Sequence, residues 1–343
     1  MGEPAIVNPA AATVPTSRAR RWWPIFKWSV FVIMLYFVGR RVHALWQTSP
    51  PLELHVDVWW LIPAALLYLI GWMPSVWFWR ALLHRMDQHP GYYESVRAYF
   101  VGHLGKYVPG KGLVLVIRGA MLKVGGTNPV LGGLTAAYET LVSMSSGAAL
   151  AVALAPAVIP VGLWERLPAG LQFLRQQPLL VPLLVAIATI ASTPISAMLF
   201  TRIGRKAVPP VENAGPVTTG ITARLVLQGV LITSLGWICH ALSLGCTIQS
   251  VSETPLPWSQ FPVWLASVSL STFSGFVVLV APGGLGPREW VLIETLKDQP
   301  AIGGEKAIVV AGLLRLVWFV AELMAAGLLY VIKPSRRGIA TDT

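Results

Sequence analysis

An all-α, polytopic membrane fold of about seven to eight spans, with broken or re-entrant Gly/Pro segments, is what this sequence predicts. Three observations carry that expectation. Hydrophobic residues make up 55% of the chain and charged residues only 12%, about half the roughly 25% that keeps a soluble surface wet. Seven apolar segments recur along the 343 residues, each long enough for the roughly 20 residues of a spanning helix. Fifteen tryptophans accompany them, and indole rings favour the headgroup level of a bilayer.

Taken in order, residues 1–21 form a tail rich in Ala, Pro and Thr that ends in Arg18, Arg20 and Arg21. Residues 22–332 form the membrane domain, and 333–343 a basic C-terminal tail. The apolar segments fall at 24–46, 57–83, 128–158, 178–201, 222–250, 258–281 and 306–332, with Pro punctuation at Ser49-Pro50-Pro51, Val208-Pro209-Pro210 and Glu253-Thr254-Pro255. The first is read as an uncleaved helix, because Gly39, Arg40 and Arg41 follow it rather than the small residues of a cleavage site. Two stretches, 94–123 and 283–300, are intermediate in polarity and rich in Gly.

Basic residues orient the spans. The N-terminal cluster, Arg80, Arg85 and Arg97, Arg202, Arg205 and Lys206, and Lys333, Arg336 and Arg337 suit the cytoplasmic side, while loops 47–57 and 251–257 contain no Lys or Arg. Both termini are therefore expected in the cytoplasm, with the chain in the cell inner (plasma) membrane. An inside–inside chain needs an even number of crossings, and seven segments are an odd count. Either a Gly-rich stretch crosses as a broken helix or one apparent span is re-entrant. Irregular backbone at membrane depth needs protein or a water-filled cavity around it, so the parity itself points to a cavity.

The net charge of +11 is spread over segments flanking apolar runs, which suits anionic lipid headgroups and not nucleic acid. Cys239 and Cys246 lie seven apart in one predicted helix, about 10 Å along its axis and too far for a disulfide. The six histidines are scattered, so no metal or other cofactor is expected. A Gly-x-Ser-x-Gly elbow and a Walker loop are both missing.

Two Pro-Gly breaks sit beside charge. The first reads Pro109-Gly110-Lys111-Gly112 with Arg118 downstream; the second reads Pro282-Gly283-Gly284-Leu285-Gly286-Pro287-Arg288-Glu289. Pro and Gly free backbone amides, and the half-helix that follows turns its positive dipole end towards the break. Such an end suits a lipid phosphate. Ordinary interfacial turns are the competing account. Within the spans, Glu139, Arg315 and Glu322 each cost at least about 2.5–3.5 kcal/mol at the bilayer centre, so they should face the interior with partners. Arg315 and Glu322 share a helix face yet stand too far apart to pair. Structural ion pairs between helices compete here with contact to a headgroup. His240 is read as a packing residue.

With these residues in place, the chain resembles the lysylphosphatidylglycerol synthase transmembrane-region family, also called flippase-like or UPF0104 membrane proteins. The strongest likeness is Pro282-Gly283-Gly284 through Arg288-Glu289; Tyr107 to Gly112 with Arg118, Glu139, and Leu314-Arg315-Leu316 are similar in order and approximate spacing. Thr140 and Ser143 stand where relatives often carry Arg and Asp. The resemblance implies lipid translocation, with Arg118, Arg288 and Arg315 on phosphate and Glu139 and Glu289 pairing with them or with a cationic headgroup. The partner would be a membrane lipid, either a phospholipid or a polyprenyl-linked lipid. No room is seen for the soluble aminoacyl-transferase domain of the synthases, so enzyme activity is not the expectation. The alternative is a membrane-embedded transferase, or an accessory subunit of a lipid-linked glycosyl- or aminoacyl-transferase. A separate transferase partner and a homo-oligomer both fit these readings.

Overall fold

The computed structural model describes residues 55–108, 112–159, 179–207, 220–278, 281–299 and 302–332, with isolated positions between 165 and 177. The apolar segment 24–46, both tails and Pro109, Gly110 and Lys111 lie outside the described residues. The described secondary structure is helical throughout, as expected. A 3-10 turn, Val58–Trp60, leads into α1 (Leu61–Arg85). Then follow α2 (Tyr92–His103), α3 (Leu113–Lys123) and α4 (Pro129–Ala153). The second half holds α5 (Leu180–Ala207), α6 (Ala223–Gln249), α7 (Phe261–Val277), α8 (Pro287–Leu296) and α9 (Gly303–Val331).

Four described segments are long and apolar enough to cross a bilayer: Val58–Arg85, Leu180–Gly204, Ala223–Gln249 and Gly303–Val331. α4, with 25 residues, has the length as well. In contrast, α2, α3 and α8 have 12, 11 and 10 residues, or roughly 15–18 Å of rise against a hydrocarbon core of about 30 Å. They are half-helices. α2 packs on α3, and α7 on α8, so each pair is a hairpin that turns back inside the bundle. The apparent span at 258–281 is therefore α7 of a returning hairpin. With α1, α4, α5, α6 and α9 as the crossing helices, one further crossing by segment 24–46 would make the number even.

The bundle is organised around an antiparallel seam between α1 and α6, its most extensive helix contact. At one end Asp57 N–H donates to the Ser250 carbonyl at 2.8 Å. Seven residues along, Ser243 Oγ donates to the Ala64 carbonyl at 2.7 Å. After another seven Gly71 meets Gly236, where an added Cβ would lie 2.4 Å from the Gly71 oxygen. Seven further, Phe78 covers Gly229. A strict heptad of this kind produces left-handed packing, and small residues let the backbones approach.

The seam joins two units of the same design. α1, the α2–α3 hairpin and α4 form one; α6, the α7–α8 hairpin and α9 form the other. The second runs opposite to the first. Asn128, the N-cap of α4, donates its backbone N–H to the side-chain oxygen of Gln88, just past the end of α1. The last carbonyls of α9 are held near that same end by Tyr93 and Arg97 of α2. So α4 begins, and α9 ends, beside the Arg85 end of α1. Each hairpin packs on the long helix closing the other unit, α2 on α9 and α7 on α4. This repeat of elements leaves no alignable trace in the sequence. Arg80, Arg85, Arg97, Lys123, Arg202 and Arg224 gather toward the Arg85 end of the bundle.

Candidate functional site: a charged cavity between two hairpin tips

The second hairpin turns on glycines that no other residue replaces cheaply. Gly283, Gly284 and Gly286 have φ values of 58°, 73° and 96°, in the left-handed region where a Cβ is penalised. Gly284 also lies against Gly275 of α7, with room for no side chain between them. Pro282 opens this turn and Pro287 is the first residue of α8, where its missing N–H costs nothing. Glu289 reaches back to accept the Gly286 N–H at 2.7 Å. Arg315 of α9 completes the tip: its Nη1 donates to the Gly283 carbonyl at 2.9 Å, and its Nε stands 3.7 Å from Glu289.

The first hairpin meets this tip head-on. An added Cβ on Gly283 would lie 2.9 Å from the Tyr107 ring and 2.7 Å from Arg315. Gly102 and Gly105 bring α2 close onto Arg118 and Val114 of α3. The second break thus lies beside Tyr107 and Gly112, which flank the first, while Pro109, Gly110 and Lys111 themselves fall outside the described residues. Between them lies a cavity of about 350 Å³, with Gly112, Gly283, Gly284, Lys106, Arg118, Glu139 and Arg288 among its lining residues. The starts of α3 and α8 both border it, so two positive helix ends face one space. Gly112 and Leu141 are lining residues that are also exposed. Among the described residues the cavity therefore reaches the apolar flank of the bundle beside Leu141.

Among the described residues three carboxylates hold the cations at the tips, and one of them, Glu139, lines the cavity. Glu139 of α4, 1% exposed, accepts from Arg118 of α3 at 3.0 Å and from the Tyr99 hydroxyl at 3.2 Å. The Arg118 guanidinium stacks 3.6 Å from the Tyr99 ring centroid. Glu289 faces Arg315. Glu322 of α9 accepts from Lys106 at 2.5 Å, from the Tyr107 hydroxyl at 2.8 Å, and from Tyr68. His103 stands 3.7 Å from the same carboxylate. Arg315 and Glu322 thus find separate partners, as their spacing requires. Arg288 is 8% exposed, and its guanidinium lies over the Trp318 ring at 4.2 Å with no carboxylate within 4.0 Å among the described residues.

Sequence reasoning brought most of this set together but missed Lys106, Tyr107 and Tyr68 as partners of Glu322. The signal lay in the Gly-Lys-Tyr run just before Pro109, read only as part of a turn. His240 is buried among Tyr68, Trp72, Trp237 and Trp318, in keeping with a packing role. Cys239 and Cys246 are free.

The described residues define a helical membrane protein whose hairpin tips enclose an ion-paired cavity. Residues 24–326 match the family described as Lysylphosphatidylglycerol synthase TM region, and the chain belongs to that family. It is a multi-pass membrane protein of lipid handling. No curated protein matches the chain.

Proposed function

We propose that this protein moves a polar-headed membrane lipid between leaflets, in a flippase-like manner. The observation that supports this most is the cavity itself, which is charged inside, reaches the apolar flank of the bundle, and lies where two half-length hairpins from opposite ends of the bundle meet. About 350 Å³ lies at the small end of ligand pockets, which suits a headgroup better than a whole lipid. The headgroup enters beside Leu141 while the chains stay in the bilayer. Each hairpin closes the path to its own side, and small movements of the Tyr107–Gly283 contact would open one side at a time. Arg118, Arg288 and Arg315 act on phosphate, with Glu139, Glu289 and Glu322 holding the cations in place. The arginines toward the Arg85 end support a cytoplasmic location for that end in the inner membrane, and our reading puts both termini on the same side.

The test is a leaflet-exposure assay in proteoliposomes. Fluorescent phospholipid in the inner leaflet should become accessible to an outside quencher faster with the protein than without it. Arg288→Ala should abolish the gain and Arg288→Lys should reduce it, because lysine keeps the charge but loses the planar fork. A rate equal to that of protein-free liposomes would end this proposal.

A further inference from the structure

We infer that the headgroup taken into this cavity bears one net negative charge, carried by a phosphodiester, with the Arg288 guanidinium as its counter-ion. This rests on the lipid-moving role proposed above and narrows it. Among the described residues around the tips, Lys106 is matched by Glu322, Arg118 by Glu139 and Arg315 by Glu289. Arg288 alone is unmatched. It lines the cavity, is more than nine-tenths buried, and touches an aromatic face in place of an anion.

A buried charge without a partner is costly, and that cost disappears when a ligand supplies the opposite charge. Contact with the Trp318 face holds the guanidinium at the cavity wall, where it can give two parallel hydrogen bonds to a phosphate. The nearby starts of α3 and α8 add positive potential in the same direction. A monoanionic phosphodiester balances the charge of the described residues around the cavity. A phosphomonoester would leave a charge over. A headgroup bearing two ammonium groups and one phosphate, such as lysylphosphatidylglycerol, would add one net positive charge to a site whose three described carboxylates each already face a cation. A zwitterion would satisfy Arg288 but bury its ammonium unpaired.

Native mass spectrometry of the full chain tests this, with phosphatidylglycerol, phosphatidylcholine and lysylphosphatidylglycerol of identical acyl chains added as probes. Phosphatidylglycerol should be retained at least about tenfold better than the other two, whose ammonium groups would be buried without a carboxylate of their own. R288Q should bring it down to the level of phosphatidylcholine, and R288K should fall between. Equal retention of the three lipids, or preference for either competitor, overturns the inference. If R288Q does not run as a folded species on gel filtration, the wild-type order alone decides. The leaflet-exposure assay separates the two claims. Equal transport of all three lipids sinks the charge inference and leaves lipid movement standing. Selective retention with no transport supports the charge inference and removes the transport reading.

Discussion

Tyr107 and Gly283, which are 176 residues apart in the sequence, press together where the two hairpin tips meet. Gly283 is held at φ 58° with its missing side chain pointing at that ring and at Arg315. Gly283→Ala is therefore strained twice, by about 1–2 kcal/mol for the left-handed backbone and by a similar 1–3 kcal/mol for overpacking. A thermal melt of the purified protein should show clear destabilisation. Gly312→Ala is the control, since nothing lies within 4 Å of a Cβ at that position. A melt in which Gly283→Ala matches Gly312→Ala would mean that the tips do not hold one another.

Arg118 and Glu139 are each about 1% exposed and bond at 3.0 Å. Removing one partner strands the other in a low-dielectric site, so Arg118→Met or Glu139→Gln should each cost about 3–5 kcal/mol. The double variant should recover much of that loss. Denaturation of the three variants forms the test, and additive losses in the double variant would show that the two residues act independently.

Lys106 and Glu322 make the corresponding tie between the first tip and α9. Glu322→Gln leaves Lys106 facing a neutral amide while the Tyr68 and Tyr107 contacts persist. Transport should fall more than stability does, because Lys106 becomes a second unmatched cation at the cavity wall. Leaflet exposure measured alongside the melting temperature distinguishes this from simple unfolding. Parallel declines in both would make the pair a structural strut only.

Both hairpins return to the side from which they enter. In a background with Cys239→Ala and Cys246→Ala, single cysteines at His89 and Lys123 should react with a membrane-impermeant maleimide from one side. Single cysteines at Glu253 and Asp298 should react from the other. All four positions are exposed. Labelling of His89 and Lys123 from opposite sides would turn the first hairpin into a crossing and break the antiparallel relation between the two units.

The long helices were legible because apolar runs bounded by Pro and Gly carry their own length. Segments 57–83, 178–201, 222–250 and 306–332 appear within a few residues of α1, α5, α6 and α9. The glycine tip was legible too, since three glycines within four residues beside Pro282 and Pro287 leave few other conformations. Segment 258–281 was not distinguishable from a span, because a hairpin arm buried in protein is as apolar as a helix facing lipid. The partners of the charges were hidden for a different reason. Arg118 and Glu139 lie 21 residues apart and invite pairing, but nothing local joins Lys106 to Glu322. The inverted repeat was invisible because its seam needs only small residues at heptad steps, and Ala64, Gly71, Ser243 and Gly236 satisfy it without resembling one another.

The Lys106–Glu322 tie spans 216 residues, which sets an order of events during biogenesis. At roughly 5–20 residues per second, the ribosome delivers Glu322 some 10–40 seconds after Lys106. Throughout that interval the first hairpin has no carboxylate to dock its lysine, while Arg118 and Glu139 can already meet within the first unit. The hairpin tip then lacks its tie to α9 until that helix arrives, although Arg118 already holds the hairpin to α4. Nascent chains stalled before α9 should carry a protease-sensitive first hairpin, and the last helix acts as the latch that completes assembly.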